Sequence, residues 1–263
     1  MIYENNQMYK NKIISDDYDN VVIGSEICPI HLLSQKIDCF IKALSAQQRK
    51  IRFVTPIIPQ KYIDEIYNKI LILPEQTKVT FNDYGLLYKC KKLICDGKIT
   101  PVLGRIITHS LIDCPWHLDI IKRERQCYDN LTRQNMNFNT KIDFMNEWSI
   151  KEIEVNNCPQ KSIDYFHTKG ISITQYSDYN LLSVSRTCFH LKLTNGKTEY
   201  CVNNNECLSP IYNLEMTDYY SNKWKLLVEN QVSVIDWSDT IVLGTTLFIK
   251  SKSINNNIDF LII

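Results

Sequence analysis

Glycine is scarce in this sequence, with seven residues in a chain of 263. No glycine-rich loop for nucleotide phosphates and no dinucleotide-binding fingerprint occurs. The HExxH pattern of zinc peptidases and the GxSxG pattern of serine hydrolases are absent as well. The sequence therefore gives no support to nucleotide binding or to these two hydrolase mechanisms.

Long apolar runs and an excess of either charge are also missing. No segment approaches the ~18 apolar residues of a membrane helix, and residues 1–20 are too polar for a signal peptide. We therefore expect a cytoplasmic protein without membrane contact, whose ten cysteines stay reduced. Thirty basic side chains nearly balance 29 acidic ones, which argues against a broad nucleic-acid surface. The short basic group Lys122, Arg123 and Arg125 is interpreted as a solvated helix face.

Short apolar segments alternate with stretches of helical period, a pattern that predicts β-α units and a mostly parallel sheet. The predicted strands include NVVIGS, IRFVTP, TKVTF, ITPVLGR and KEIEVNN. The predicted helices include PQKYIDEIYNKIL, with Tyr62, Ile63, Ile66 and Ile70 as its buried stripe, and the stretches Tyr84–Cys95 and roughly Trp116–Leu131. We expect an α/β fold, an incomplete TIM-like (β/α) barrel in a single domain. It comprises a variable N-terminus (1–20), a barrel-like core (21–187), a cysteine-rich loop (188–207) and a divergent C-terminal segment with a short β extension (208–263).

Four cysteines form the most informative pattern in the chain. Cys188, Cys201 and Cys207 share one polar stretch, and Cys28 follows the first predicted strand. Strand ends of a barrel-like fold assemble sites, and soft thiolates suit an iron-sulfur cluster or zinc. Zinc is the weaker metal, since its structural sites use closer cysteine pairs than Cys201 and Cys207. The alternative is that Cys201 and Cys207 are ordinary loop thiols.

Four of the remaining cysteines have a simpler interpretation. Cys39, Cys90, Cys95 and Cys127 lie among helical or apolar neighbours and are predicted to behave as small hydrophobic residues.

A thiol hydrolase would require a cysteine beside an oriented histidine. The sequence offers Cys114 with His109 or His117 for this role. Each histidine is more simply interpreted as a surface or hydrogen-bonded helix residue.

Three further polar residues have two interpretations each. Asp83 fits a helix cap better than a substrate contact. Arg186 fits an anion contact beside the proposed cluster and an ordinary ion pair equally well. Glu26, beside Cys28, is undecided between the same two roles.

Five segments in the same order resemble the collagenase-like peptidase family U thirty-two: GSEIC, TP, FNDYGLL, PVLGR and SVSRTCFHLK. The likeness is to its small UbiU/UbiV type without a peptidase extension. The resemblance implies a four-iron four-sulfur cluster on Cys28, Cys188, Cys201 and Cys207, although the gap before Cys207 is wider here than in the family pattern. The tail beyond Leu208 departs from the pattern, which predicts a divergent relative with a different substrate.

The resemblance implies oxygen-independent hydroxylation or a related modification, carried out with a UbiU-like partner subunit. Two alternatives stay open at this point. One is a collagenase-like peptidase that depends on a thiol or a metal. The other is a non-catalytic scaffold subunit with a structural metal. The substrate is not identified by the sequence.

Overall fold

The computed structural model describes residues 20–110, 133–156, 158–176, 179–185 and 188, and the backbone of five short strand segments between 212 and 250. The parallel strands are β1 (Asn20–Gly24), β2 (Lys50–Val54), β3 (Thr77–Phe81), β4 (Ile99–Leu103), β5 (Glu152–Val155) and β6 (Ser172–Gln175). The helices are α1 (Pro29–Leu32), α2 (Gln35–Ala46), α3 (Ile63–Leu71), α4 (Tyr84–Lys89), α5 (Lys91–Cys95), α6 (Asn139–Glu147) and α7 (Gln160–Thr168), and a 3-10 turn (Gln60–Tyr62) precedes α3.

The six parallel strands form one sheet in the order β1-β2-β3-β4-β5-β6. Side chains of β2 reach β5 on the same face, and Arg105 after β4 reaches Glu26 after β1. Because two strands intervene in each case, such contacts require a curled sheet. The α/β fold is thus a half-barrel, which agrees with the predicted incomplete TIM-like barrel.

The two faces of this sheet differ sharply in chemistry. Ile51, Phe53, Val79, Phe81 and Ile153 point toward the helices and are buried in the main hydrophobic core. The residues between them in the strands point to the concave face, because side chains alternate along a strand. That face carries the charged and hydroxyl side chains of Arg52, Lys78, Thr80, Glu152 and Glu154.

The helices follow the predicted apolar stripes. Of the predicted stripe, Ile63, Ile66 and Ile70 of α3 are buried, and Tyr62 just before α3 is half-buried. The predicted helix from Tyr84 to Cys95 is observed as two short helices, α4 and α5, that meet at Cys90. The helix predicted over Trp116–Leu131 lies outside the described residues. Within the described part of the chain, no helix is both long enough and apolar enough to span a bilayer.

Antiparallel strands follow the half-barrel. They are β7 (Tyr179–Val184), β8 (Tyr212–Asn213), β9 (Leu226–Val228), β10 (Gln231–Ser233), β11 (Thr240–Leu243) and β12 (Thr246–Lys250). One sheet has the order β7-β12-β11-β8, and β9 pairs with β10. Strands therefore do occur in the C-terminal segment. The strand just before Cys188 pairs with β12 in this second sheet and not with the six-stranded sheet.

Candidate functional site

The loop after β1 holds Cys28 at the carboxyl edge of the parallel sheet. Gly24 has a φ of +125°, and a Cβ there would lie 2.2 Å from the carbonyl oxygen of Val54, so glycine is required. The Ser25 hydroxyl then accepts hydrogen bonds from the backbone N–H groups of Ile27 (3.2 Å) and Cys28 (3.1 Å). Pro29 starts α1 directly after Cys28. These constraints fix the backbone that carries the half-buried Cys28 thiol.

A buried ion pair joins this loop to the loop after β4. Arg105 Nε donates to both carboxylate oxygens of Glu26 at 3.0 Å, and Arg105 Nη2 donates to Glu26 Oε2 at 2.6 Å. The side chains are only 6% and 12% exposed. Glu26, whose role the sequence left open, is thus the counter-charge of Arg105.

Arg105 also connects the loops after β5 and β6. Its guanidinium carbon lies 4.0 Å from the ring centroid of Tyr176, and Nη1 donates to Asn156 Oδ1 at 3.3 Å. The Asn156 side chain makes a reciprocal pair with the backbone of Leu181, donating to its carbonyl and accepting from its N–H at 2.8 Å each. The start of β7 is therefore attached to the carboxyl edge of β5.

Asn82 and Asp83, which follow β3 in the FNDYGLL segment, hold neighbouring backbone in place at the same edge. Asn82 Nδ2 donates to the Thr55 carbonyl (2.9 Å), and Asn82 Oδ1 accepts from the Ile106 N–H (2.9 Å). Asp83 caps α4 by accepting from the Leu86 N–H at 2.9 Å. The predicted cap is confirmed. Gly104 leaves room for Asn82, since a Cβ at position 104 would lie 2.2 Å from Asn82 Oδ1.

An ion-pair network lies on the concave face. Arg52 pairs with both Glu152 and Glu154, and Lys78 Nζ donates to Glu152 Oε2 at 2.6 Å. The Thr80 hydroxyl donates to Glu154 Oε1 at 2.8 Å. Glu154 has no exposed side-chain surface, and Lys78 is about half-exposed.

The two glutamates of this network differ in their proton affinity. Burial pushes the pKa of Glu152 upward, but the hydrogen bond from Lys78 and the charge of Arg52 outweigh it and hold that pKa below 4.5. For Glu154, burial and then the negative charge of Glu26 raise the pKa above 4.5, against the opposing charge of Arg52. Tyr176 donates to Glu154 Oε2 at 3.1 Å, and burial followed by the Glu154 charge raises its own pKa well above 10. The arrangement allows Glu154 to hold a proton more readily than an exposed carboxyl.

The structure describes two of the four cysteines in the predicted ligand set. Cys28 and Cys188 are half-buried thiols, and neither forms a disulfide. Cys201 and Cys207 lie outside the described residues, so whether the four sulfurs converge stays a prediction. Among the residues that the structure describes, no group of three or more His, Cys, Asp or Glu side chains is placed to hold a metal ion.

Of the three residues predicted for a thiol hydrolase, the structure describes only His109. Its Nε2 is buried without a hydrogen-bond partner, and its carbonyl accepts from Asn135 Nδ2 at 3.1 Å. Cys114 and His117 fall in the stretch 111–132, which the structure does not describe. The basic group at 122–125 and Arg186 also lie outside the described residues.

The predicted hydrophobic role of the other cysteines holds for one of them. Cys90 is fully buried, and burial raises the pKa of its thiol to about 12. For Cys39 and Cys95 the prediction is wrong, because both are exposed on their helices. Cys39 is two residues from the buried Ile37, which turns it about 200° around the helix, away from the core. Cys127 lies beyond the described part of the chain.

Sequence reasoning missed the ion pairs of the half-barrel. The signal was present in KIRFV, TKVTF and EIEV, where charged and apolar residues alternate. This period of two places Arg52, Lys78, Glu152 and Glu154 on the face opposite the helices. The pairing of Glu26 with Arg105 had no local signal, because 79 positions separate the partners.

Comparison with known proteins identifies no relative: no protein-family model, no curated protein and no solved structure matches the chain significantly. The resemblance to the U thirty-two family therefore stays a prediction from sequence segments. The geometry of the described residues is then the basis for assigning a function.

Proposed function

We propose that this chain binds an iron-sulfur cluster of the four-iron four-sulfur type, with Cys28, Cys188, Cys201 and Cys207 as ligands. The observation that carries the proposal is the position of Cys28. It lies in the loop after the first strand of a half-barrel, at the edge where this class of fold assembles its sites. Thiolates are the ligands that such clusters use.

The loop around Cys28 favours ligation over a packing role. A cysteine that serves as a small hydrophobic residue is usually buried, as Cys90 is here. Cys28 is half-buried, and the Ser25 hydroxyl holds its backbone N–H. A fixed backbone and a thiol with partial solvent access are what a ligand to an inserted cluster requires.

The connection to Cys188 is compatible with a shared site. Asn156 holds Leu181 at the carboxyl edge of β5, through two hydrogen bonds of 2.8 Å. Cys188 follows Leu181 by seven residues, a stretch that spans at most about 25 Å when fully extended. Cys28 lies two residues from Glu26. Glu26 and Asn156 both accept hydrogen bonds from the Arg105 guanidinium. Both thiols are therefore linked to one side chain, Arg105, by short segments.

When bound, the cluster would supply one-electron transfer, because ligation by four cysteines leaves no open iron position for substrate. The chain's own residues set its surroundings. Arg105 and Glu26 form a neutral pair near the Cys28 loop, so they add no net charge that would shift a reduction potential strongly. The resemblance supports the wider proposal that the chain acts with a UbiU-like subunit in oxygen-independent hydroxylation or a related modification.

The test is anaerobic purification after expression with an adequate iron supply, followed by iron and sulfide analysis and visible absorption. We expect a brown protein with about four iron atoms per chain. Cys28→Ser, Cys188→Ser, Cys201→Ser and Cys207→Ser are each expected to lose most of the iron. Zinc in place of iron, lost in the same four variants, would support a structural metal site and the scaffold alternative.

Cys39→Ser and Cys95→Ser are the matched controls, since both thiols are exposed on outer helices. They are expected to retain the full iron content. A colourless, iron-free protein after anaerobic preparation contradicts the proposal, and so does equal iron loss in the control variants. Peptide hydrolysis that disappears in Cys114→Ala would favour the thiol-hydrolase alternative instead.

A further inference from the structure

Arg105 contacts the loops that follow three other strands of the parallel sheet. It lies two residues after the end of β4, and its side chain is 6% exposed. The guanidinium donates to Glu26 after β1 and to Asn156 after β5, and it lies over the ring of Tyr176 after β6. A single buried side chain therefore joins four loops at the carboxyl edge, where barrel folds assemble their sites.

The three contacts use different parts of the guanidinium group. Nε and Nη2 form a fork that binds the Glu26 carboxylate, and Nη1 donates to Asn156 Oδ1. The guanidinium carbon lies 4.0 Å from the centroid of the Tyr176 ring. Lysine would keep the charge, but its ammonium group has neither the planar fork nor the flat face. The arrangement therefore depends on the shape of arginine as well as on its charge.

The two cysteines of the proposed ligand set that the structure describes are both attached to partners of this guanidinium. Glu26 precedes Cys28 by two residues. Asn156 binds the backbone N–H and carbonyl of Leu181, and Cys188 follows Leu181 by seven residues. The guanidinium thus joins the two chain segments that carry these thiols.

The connection between these segments is buried and charge-assisted. Asn156 and Leu181 are 2% and 1% exposed, and Arg105 binds a carboxylate. Breaking buried hydrogen bonds of this kind is costly, so the connection persists without a bound group. An inserted group binds more tightly when its ligands are held in place beforehand. We propose, on the basis of the ligand set proposed above, that Arg105 is a positioning residue that brings the Cys28 and Cys188 thiols to one site before any cluster binds.

Crosslinking of the iron-free chain tests this role without a cluster. A short bis-alkylating reagent is added under anaerobic conditions, and peptide mass mapping measures how fast Cys28 and Cys188 become joined. We expect wild type to form this crosslink and Arg105→Lys to form it about tenfold more slowly, because the effective concentration of one thiol at the other falls. Far-UV circular dichroism verifies that both chains are folded.

Arg52→Lys is the matched control. Arg52 is a second buried arginine, 12% exposed, and its described partners Glu152 and Glu154 both lie on β5. This variant is expected to lose stability, as Arg105→Lys does, and yet to crosslink at the wild-type rate. If Arg105→Lys does not fold, the double variant Glu26→Gln with Arg105→Gln replaces it, because it leaves no uncompensated charge. The double variant is expected to crosslink as slowly as Arg105→Lys.

Iron extraction from the loaded protein gives a second measurement. Loss of a residue that orients metal ligands typically weakens metal binding by about 10–100-fold. We therefore expect a chelator to remove iron from Arg105→Lys about 10–100-fold faster than from wild type, and from Arg52→Lys at the wild-type rate.

The crosslinking result separates this role from the cluster itself. Crosslinking that depends on Arg105 in a chain without iron supports the positioning role and refutes only the cluster. The proposal is overturned if wild type forms no crosslink between Cys28 and Cys188, or if Arg105→Lys forms it as fast as wild type. It is also overturned if Arg52→Lys slows crosslinking equally, because the effect would then be one of general stability.

Discussion

Replacement of Glu26 by glutamine is expected to destabilise the protein by about 3 kcal/mol, because the buried Arg105 guanidinium loses its counter-charge. The two side chains are 12% and 6% exposed, so solvent screens the pair weakly. Removing one partner of a buried ion pair costs about 3–5 kcal/mol. We take the lower end because glutamine keeps one oxygen that accepts from the guanidinium. For a chain of this size the loss corresponds to a fall in melting temperature of roughly 6–12 °C.

Urea unfolding at neutral pH measures this effect in a double-mutant cycle of Glu26→Gln and Arg105→Gln. We expect the double variant to be more stable than the sum of the single losses predicts, by about 1–3 kcal/mol, because no uncompensated charge remains. Glu65→Gln on the exposed side of α3 serves as the control and should change stability by less than about 0.5 kcal/mol. A loss below about 1 kcal/mol for Glu26→Gln, or strict additivity, would refute the view that the pair is desolvated and coupled.

Three further predictions concern a buried carboxyl group, the helix thiols and a helix cap. Because the folded-state pKa of Glu154 is raised above 4.5, its contribution to stability is full below that pH and is lost as the pH rises through the folded-state value. The urea midpoint of Glu154→Gln minus that of wild type should therefore be larger at pH about 8 than at pH about 5. An equal difference at the two pH values would contradict this. An alkylating reagent should modify Cys39 and Cys95 quickly and Cys90 only after unfolding, as followed by peptide mass mapping, because Cys90 is buried with a pKa of about 12. Early labelling of Cys90 would disprove its burial. Asp83→Ala should cost about 1 kcal/mol through loss of the α4 cap, while Asp83→Asn should cost less in the same urea assay.

The architecture was accessible from sequence because its signals are local. KIRFV and TKVTF are short, rich in β-branched residues and bounded by turn or helix signals, so they predict strands, and the stripe of Ile63, Ile66 and Ile70 predicts a buried helix face. The alternation with helices then predicts a parallel sheet. The division of Tyr84–Cys95 into two helices was not predicted, since all its residues are compatible with one continuous helix.

The site was only partly accessible, for a physical reason. A cap such as Asp83 depends on residues three positions away, and its role was predicted correctly. The pairing of Arg105 with Glu26 depends on how far the sheet curls, which no short segment encodes. The concave ion pairs were missed because interpreting each strand as an apolar run ignored its alternating charged positions.

The hydrogen bonds at the carboxyl edge form a series in which each loop holds its neighbour. Asn82 joins the loops after β2 and β4, and Arg105 joins those after β1, β5 and β6. Displacing one loop breaks contacts that order the others, so the rim should open cooperatively rather than loop by loop. In amide hydrogen exchange, the N–H groups of Ile106 and Leu181 would then show one common opening free energy, although 75 residues separate them along the chain.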